Sequence, residues 1–229
     1  MTVEDQILFK REAGRSAAQF ADNDMFVGLG TGSTVKYTIE CLGEMVRNGL
    51  DITGVATSVQ TEILAASCGI KLVDLDAVEH LDIVIDGADE IDKDLNLIKG
   101  GGGALLREKM VAEKGSRMIV VADESKLSAK LGLFPLPIEV VRFGHATTAK
   151  NIADFGIAPS LRMSESEIFI TDNGNYIYDC RCGTIDDPAA LHKKLKSLTG
   201  VVETGLFIGI ANTAIIGGAN GVRMIGEEK

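Results

Sequence analysis

The sequence predicts an α/β fold in which a Rossmann-like, doubly wound, mainly parallel sheet is joined to a second, smaller ferredoxin-like α+β domain. Up to residue 126, short apolar runs alternate with amphipathic helical stretches, which is the element order of a parallel sheet covered by helices. Glycine-rich or polar segments follow these runs at their carboxyl ends, where such sheets bind ligands. The pattern changes at the two prolines in 134–140, so we expect one domain from residues 1–132 plus 207–229 and a smaller one from residues 133–206.

The elements of the first domain follow from hydrophobic periodicity. Residues 4–21 carry apolar or small side chains at helical spacing and predict an opening helix, in which Lys10 is most simply a solvated cation. The pattern further predicts strands at 25–30, 52–58, 71–73, 81–85 and 117–122, helices at 35–46 and 60–68, and two returning strands at 213–217 and 222–225.

The second domain has a different element order. The pattern predicts a strand from residue 137, a helix at 148–155, strands at 168–171 and 176–180 about the turn 172–175, a helix at 188–198 and a last strand. This βαββαβ order is typical of a ferredoxin-like domain.

Composition excludes several classes of function. A net charge of −10 and a pI near 4.8, without a Lys/Arg block, argue against binding to nucleic acid or to an anionic membrane. The acidic, polar start MTVEDQ does not resemble a signal peptide, and glycine and asparagine interrupt the apolar segment 206–222, so we expect a soluble cytoplasmic protein. The four cysteines fit reduced thiols; Cys180, Cys182 and His192 could form a metal site, but buried structural thiols are favoured.

The segment Thr31-Gly32-Ser33-Thr34 follows the first strand and precedes a helix. A glycine-rich turn at a helix N-terminus presents N–H groups and the positive end of the helix dipole to an anion, so it is a candidate phosphate site. It lacks the lysine of a P-loop, and GLGTGST only approximates the dinucleotide fingerprint. The next strand ends in Thr57 and Ser58 instead of an acid, which favours a small polar ligand over a dinucleotide.

Two carboxylates, Asp86 and Asp89, follow the strand at 81–85. Partly buried acids at the end of a strand suit proton delivery to a sugar oxygen, and we favour this role over a solvated acidic loop. Asp92 and Asp94 are interpreted as such a solvated loop. Calcium binding is a weaker alternative, because the DxDxDG pattern with its glutamate is absent.

Lys99 and the glycine run 100–103 lead into a helix whose first turns carry Glu108. A glycine run is tolerated where the backbone must approach a ligand closely. We expect Leu105, Leu106 and Met110 to form the core face of this helix and Glu108 to lie on another side, where a surface glutamate is the simpler alternative. Together the residues predict proton abstraction next to a carbonyl: Glu108 is the base, Lys99 and glycine N–H groups stabilise the enediolate, and no metal or redox cofactor is needed.

Several long motifs closely resemble the type A ribose-5-phosphate isomerase family, namely GLGTGST at 28–34, DGADEI at 86–91, KGGGGALLREK at 99–109 and DESK at 123–126, with FPLPIEV, TDNGN and GLF in the same order. The resemblance implies interconversion of D-ribose 5-phosphate and D-ribulose 5-phosphate in the pentose phosphate pathway, without a metal, by a homodimer or homotetramer. It implies Glu108 as the proton acceptor. The other implied substrate or catalytic residues are Lys10, Thr31, Gly32, Ser33, Thr34, Asp86, Gly87, Ala88, Asp89, Lys99, Gly100, Gly101, Gly102 and Lys126.

The sequence departs from the family pattern at two positions: Gly103 replaces another small residue, and Leu106 stands where a hydroxyl residue is common. Two alternative functions are compatible with parts of this pattern. A sugar-phosphate sensor would need the phosphate site but neither the base nor the lysine, and an amino-sugar-phosphate deaminase would release ammonia.

Overall fold

A computed structural model describes residues 2–226 of the chain. Within that range the chain forms six α-helices: α1 (Val3–Ala18), α2 (Val35–Arg47), α3 (Val59–Ser67), α4 (Leu105–Glu113), α5 (His145–Ala153) and α6 (Pro188–Lys196). The strands are β1 (Met25–Leu29), β2 (Ile52–Ala56), β3 (Lys71–Leu72), β4 (Ile83–Gly87), β5 (Glu90–Ile91), β6 (Leu97–Ile98), β7 (Met118–Asp123), β8 (Leu136–Val140), β9 (Ala158–Leu161), β10 (Met163–Ser164), β11 (Glu167–Ile168), β12 (Tyr176–Arg181), β13 (Val201–Thr204), β14 (Leu206–Phe207), β15 (Thr213–Gly218) and β16 (Gly221–Gly226).

The described chain packs into two compact units. Unit 1 contains the described residues up to 88, residues 107–126 and the described residues from 210 onward, and unit 2 contains residues 89–106 and 127–209. The boundary after residue 106 lies inside α4. These units differ from the expected domains mainly in residues 89–106, which were expected in the first domain but pack within unit 2.

Unit 1 contains a seven-stranded sheet in the order β16-β15-β7-β4-β1-β2-β3. All neighbouring pairs are parallel except β15 and β16, which form an antiparallel hairpin. β4 and β7 consist almost entirely of buried residues, as expected for strands covered on both faces. The doubly wound, mainly parallel sheet predicted from the sequence is confirmed.

Helices α1 and α2 lie close together because α1 contains a glycine at the contact. A Cβ on Gly14 would lie 2.9 Å from the backbone nitrogen of Thr38, so only glycine permits this approach. Helix α1 begins with a capping box in which Thr2 accepts from the Asp5 amide and the Asp5 side chain accepts from the Thr2 amide. The capping box fixes where α1 begins, and α1 carries Lys10.

Unit 2 contains a four-stranded antiparallel sheet in the order β13-β8-β12-β9, with α5 after β8 and α6 after β12. This is the predicted ferredoxin-like arrangement. One strand prediction is wrong: β9 (Ala158–Leu161) is the strand between α5 and β12 that pairs with β12, whereas β11 (Glu167–Ile168) pairs with β10 in a separate hairpin. β9 contains Pro159 and lies at the sheet edge, where a missing N–H is tolerated, so its sequence did not look like a strand.

A three-stranded sheet, β14-β6-β5, explains why residues 89–98 belong to unit 2. β6 pairs antiparallel with both β5 and β14, so the segment after Ala88 is paired with residues 206–207. Buried Glu90 adds a second link, because its carboxylate accepts hydrogen bonds from the N–H groups of Gly132, Leu133 and Phe134 at 2.9, 3.3 and 3.0 Å. These contacts hold the loop before β8 against β5.

Candidate active site

The loop after β1 is fastened to the carboxyl end of β4. The N–H of Thr31 donates to Oδ1 of Asp86 at 3.0 Å, and the N–H of Gly87 donates to the same oxygen at 2.7 Å. A Cβ on Gly30 would lie 2.1 Å from that oxygen, so glycine is required for the contact. Asp86 is fully buried, and its carboxylate therefore joins the predicted phosphate loop to the predicted acidic motif within unit 1.

A cluster of hydroxyl groups holds the same loop from the side of β2. Oγ1 of Thr31 lies 2.8 Å from Oγ1 of Thr57 and 2.8 Å from Oγ of Ser58, and Oγ1 of Thr61 donates to the carbonyl of Gly30 at 2.8 Å. Thr57 and Ser58 are buried. In the structure these two hydroxyls bind the loop after β1, and that of Ser58 also caps α3 by accepting from the N–H of Thr61.

The last three residues before α2 are Gly32, Ser33 and Thr34. Gly32 has a φ of +135°, a conformation that L side chains rarely adopt. Thr34 precedes α2 and makes no capping hydrogen bond with its side chain. Ser33 is exposed and Thr34 is buried. At the start of α2 the N–H groups of Lys36 and Tyr37 already donate to the carbonyls of Gly32 and Thr34, at 3.0 and 3.1 Å. The positive end of the α2 dipole still gives this end of the helix the electrostatics of an anion site.

Two lysines, Lys10 and Lys126, lie near the carboxyl end of β7. Asp123 is fully buried at the end of β7, and its Oδ1 accepts from the N–H and the hydroxyl of Ser125. Nζ of Lys10, from α1, lies 3.9 Å from Oδ2 of Asp123. Lys126 ends the 3-10 turn that follows β7 and is half-buried. Lys10 is thus paired with a buried carboxylate and is not a simple solvated cation.

Glu108 lies in the first turn of α4 and is 4% exposed. The expected core face of α4 was wrong at Met110, which is 51% exposed, whereas Glu108 and Lys109 are buried beside Val111 and Ala112. Hydrophobicity assigns the apolar side chain to the core, but here two charged residues occupy the interior instead. Burial of a carboxylate requires a compensating interaction or a function, so the surface alternative for Glu108 does not hold.

The remaining predicted residues belong to unit 2. Lys99 is 1% exposed, and its Nζ lies 5.4 Å from the centre of the Phe207 ring. Gly101 donates its N–H to Oδ2 of half-buried Asp89 at 2.7 Å. Asp89, Lys99 and the glycines at 100–102 are therefore brought together within one unit.

The structure thus divides the predicted site residues between the units. Unit 1 holds Lys10, Thr31, Gly32, Ser33, Thr34, Asp86, Gly87, Ala88, Glu108 and Lys126, and unit 2 holds Asp89, Lys99, Gly100, Gly101 and Gly102. Sequence reasoning did not single out Asp123 or Arg162. Asp123 could have been found as a strand-end acid like Asp86, but Arg162 lies 62 positions from the glycine that it contacts and belongs to no motif.

The alternative metal site at Cys180, Cys182 and His192 has different chemistry in the structure. Burial raises the pKa of Cys182 to about 11 and raises that of Cys180 further, so both thiols are protonated at neutral pH. Nδ1 of His192 lies 2.8 Å from the hydroxyl of Thr204. Across residues 2–226, no group of three or more His, Cys, Asp or Glu side chains is arranged to hold a metal ion. The helices described for this chain include none with the length and apolar character needed to cross a membrane.

Comparisons with known proteins give a consistent result. The family model described as Ribose 5-phosphate isomerase A (phosphoriboisomerase A) matches residues 53–221. A ribose-5-phosphate isomerase A of Bacillus mycoides is 53% identical over 215 residues, which cover 93% of this chain and 97% of the relative. One of Parvibaculum lavamentivorans is 52% identical over 232 residues, with coverages of 98% and 99%.

Solved structures agree with the sequence matches. A ribose 5-phosphate isomerase from Plasmodium falciparum superposes with a TM-score of 0.94 at 38% identity, covering 97% of this chain and 100% of that one. A D-ribose-5-phosphate isomerase in complex with phospho-erythronic acid superposes with a TM-score of 0.95 at 40% identity, with coverages of 99% and 100%. The chain therefore belongs to the ribose 5-phosphate isomerase A family, and so to a family of isomerases.

Proposed function

We propose that this protein is an aldose-ketose isomerase that interconverts D-ribose 5-phosphate and D-ribulose 5-phosphate through an enediolate, with Glu108 as the general base. The observation that carries the proposal is the burial of Glu108 in the first turn of α4. A carboxylate near a helix N-terminus is stabilised in its ionised form, which is the form a base needs before it accepts a proton. Glu108 takes the proton from C2 of the aldose, and the protonated carboxyl group then delivers a proton to C1 of the enediolate, which gives the ketose.

The phosphate of the substrate binds to the loop Thr31–Thr34 and to two lysines. The positive end of the α2 dipole attracts an anion, and Lys10 and Lys126 supply positive charge in a chain whose net charge is −10. Thr31 is held by Asp86 and by the hydroxyl cluster, so the loop is preorganised before the phosphate arrives. The segment Asp86-Gly87-Ala88 contributes to substrate binding beside it.

The sugar oxygens are assigned to Asp86, Asp89, Lys99 and the glycines at 100–102. Lys99 and the N–H groups of Gly100 and Gly102 stabilise the negative charge that develops on the enediolate oxygens, while Gly101 contributes by holding Asp89 through its N–H. Asp86 and Asp89 bind and exchange protons with the hydroxyl or ring oxygens. Lys99 is 1% exposed, and a buried cation acts on such charge more strongly than a solvated one.

A ligand of a related structure has the chemistry that this proposal requires. Phospho-erythronic acid, bound in a relative whose structure superposes with a TM-score of 0.95, carries a phosphate and a carboxyl group. Its phosphate corresponds to that of ribose 5-phosphate, and the two oxygens of its carboxylate resemble the two oxygens of an enediolate. We expect the same compound to inhibit this protein competitively.

The proposal is tested by assaying ribulose 5-phosphate formed from ribose 5-phosphate by the purified protein in the presence of EDTA. We expect turnover that EDTA does not reduce, because every step is assigned to a side chain or to the backbone. Absence of turnover in both the presence and the absence of EDTA would reject the isomerase, and ammonia released from an amino-sugar phosphate would favour a deaminase. By the same proposal the protein acts in the pentose phosphate pathway of the cytoplasm as a homodimer or homotetramer.

A further inference from the structure

The glycines at 100–103 form a tight turn, here called the glycine turn. The N–H of Gly103 donates to the carbonyl of Gly100 at 2.9 Å, and both residues have positive φ, +102° at Gly100 and +84° at Gly103. Glycine populates many backbone conformations about equally well, so four in succession do not hold one geometry by themselves. Contacts from outside the turn must select the conformation that is observed.

Arg162 supplies such a contact. It lies between β9 and β10, and its Nη1 donates to the carbonyl of Gly100 at 2.9 Å and to that of Gly101 at 3.3 Å. The Arg162 side chain is only 12% exposed. A charged donor that is shielded from water makes a stronger hydrogen bond to a carbonyl than a neutral or solvated one does.

Two further residues fix the Arg162 guanidinium. Its Nε donates to Oδ2 of Asp179 at 2.9 Å while Nη2 donates to Oδ1, which is the bidentate pairing that a planar guanidinium favours. The guanidinium carbon also lies 5.6 Å from the centre of the Phe169 ring. The same ring packs on the far end of the turn, since a Cβ on Gly103 would lie 2.3 Å from its Cζ. Arg162 is therefore a rigid support.

Because a peptide group is planar, a contact that fixes its carbonyl also fixes the direction of its N–H on the other side of the turn. In a trans peptide the C=O and the following N–H point in opposite directions, and no cis peptide occurs in residues 2–226. The peptide group between Gly100 and Gly101 is held on both sides. Its carbonyl accepts from Arg162, and its N–H donates to Oδ2 of Asp89 at 2.7 Å. In the next peptide group, between Gly101 and Gly102, the carbonyl faces Arg162, so the N–H of Gly102 points away from Arg162.

We propose that Arg162, anchored by Asp179, is a positioning residue for the isomerisation: by binding the carbonyls of Gly100 and Gly101, it aims the N–H of Gly102 at the enediolate and fixes Asp89. The inference rests on the proposed function, in which these groups bind the reacting end of the sugar. Arg162 itself does not touch the substrate in this assignment. Its removal therefore affects the chemical step and leaves phosphate binding intact, because the phosphate ligands belong to unit 1.

The test compares Arg162→Ala and Arg162→Lys with the wild-type protein in steady-state kinetics. We expect kcat to fall roughly 10²-fold in Arg162→Ala, as for a misplacement of about 1 Å in an active site, and KM to change less than about threefold. Arg162→Lys retains the charge but cannot bridge two carbonyls and a carboxylate, so it should lose roughly tenfold or more in kcat. Arg142→Ala is the matched control, because Arg142 is exposed, lies 5.4 Å from the Tyr176 ring and has no assigned role; it should retain wild-type kcat.

Three further measurements distinguish a positioning role from a general loss of structure. The affinity for inorganic phosphate, measured as competitive inhibition, should be unchanged in Arg162→Ala, while the affinity for phospho-erythronic acid should fall by about the same factor as kcat. Guanidinium at millimolar concentration should restore part of the activity of Arg162→Ala, and an equal concentration of sodium chloride should not. Asp179→Asn should lower kcat in the wild-type background but cause little further loss in Arg162→Ala, because the two residues act through one contact.

Wild-type kcat in Arg162→Ala would overturn the inference, as would equal losses of kcat and phosphate affinity without rescue by guanidinium. If Arg162→Ala does not fold, Arg162→Lys decides between the outcomes by the same two inhibitors. A wild-type protein without isomerase activity would instead reject the proposed function, which is a different result from an active wild type whose Arg162 variants are equally active.

Discussion

The N–H of Thr31 donates to Oδ1 of Asp86 at 3.0 Å, and this one hydrogen bond joins the loop after β1 to the carboxyl end of β4. The same oxygen accepts from the N–H of Gly87 at 2.7 Å. Asp86 is fully buried, so water cannot replace the carboxylate as acceptor for either N–H. In the proposed mechanism the residue therefore has two separate tasks, one in holding the loop and one in binding the sugar.

A comparison of Asp86→Asn with Asp86→Ala, in stability and in activity, should separate these two tasks. Asp86→Asn keeps an oxygen acceptor for Thr31 and Gly87, whereas Asp86→Ala leaves two buried N–H groups without one, so we expect Ala to be about 2 kcal/mol less stable than Asn. Both variants should lose most of their activity because both lack the charge. Urea denaturation measures the difference, with Asp76→Ala, an exposed residue, as control. Equal stability of the Asn and Ala variants would show that the two hydrogen bonds do not hold the loop.

Lys126 should act on phosphate binding and not on the chemical step. We expect Lys126→Ala to raise KM for ribose 5-phosphate roughly tenfold or more and to change kcat little, since a charge-assisted contact to a phosphate contributes about 1.5–3 kcal/mol. Lys130→Ala is the control, because Lys130 is exposed and pairs with Asp186. A loss confined to kcat would contradict the assigned role.

The sequence predicted those parts of the site that are local in the chain. Gly30, Thr31 and Gly32 could be placed because a strand, a glycine-rich turn and a helix follow one another directly, and parallel strand ends share one edge of a sheet. Asp86 follows the same rule. The sheet order itself, with β4 next to β1, was not predicted in detail, because it depends on pairing between distant segments.

Other parts could not be predicted, for identifiable physical reasons. Hydrophobic periodicity placed Met110 in the core and not Glu108, because periodicity cannot anticipate a buried charge. The contact of Arg162 with Gly100 depends on tertiary packing across 62 positions of the chain. Thr57 and Ser58 were located at the correct strand end, but their hydrogen-bond partners could be known only from the structure.

Because Glu139 is buried, we expect its contribution to the stability of the folded state to depend on pH and to be larger on the acid side of neutrality. Its Oε1 accepts from Thr171 and Asn175 at 3.0 and 2.9 Å, and it pairs across β8 and β13 with Glu203, which Lys196 contacts at 2.9 Å. Burial, and to a smaller extent the charge of Glu203, raises the pKa of Glu139 above its ordinary value of 4.5.

Because the folded state holds this proton more tightly than the unfolded state, the stabilising contribution is complete below pH 4.5 and is lost as the pH rises through the folded pKa. Glu139→Gln retains the accepting oxygen and has no charge to bury. We therefore expect it to be more stable than the wild type at pH 8 by about 1 kcal/mol, typical of one buried polar interaction. The difference should shrink below pH 4.5, as measured by urea denaturation at both pH values. A pH-independent difference would show that the pKa of Glu139 is the same in the folded and unfolded states.

The role of Glu108 as the base that forms an enediolate is tested most directly by isomerisation in D₂O, followed by NMR of the ribulose 5-phosphate formed. Proton abstraction by a carboxylate allows exchange with solvent, so deuterium should appear at C1 of the product. Glu108→Gln should fold, bind inorganic phosphate and lose at least ~10² in both turnover and exchange, whereas Glu113→Gln, exposed on the same helix, should match the wild type. Wild-type turnover or wild-type exchange in Glu108→Gln would contradict the mechanism.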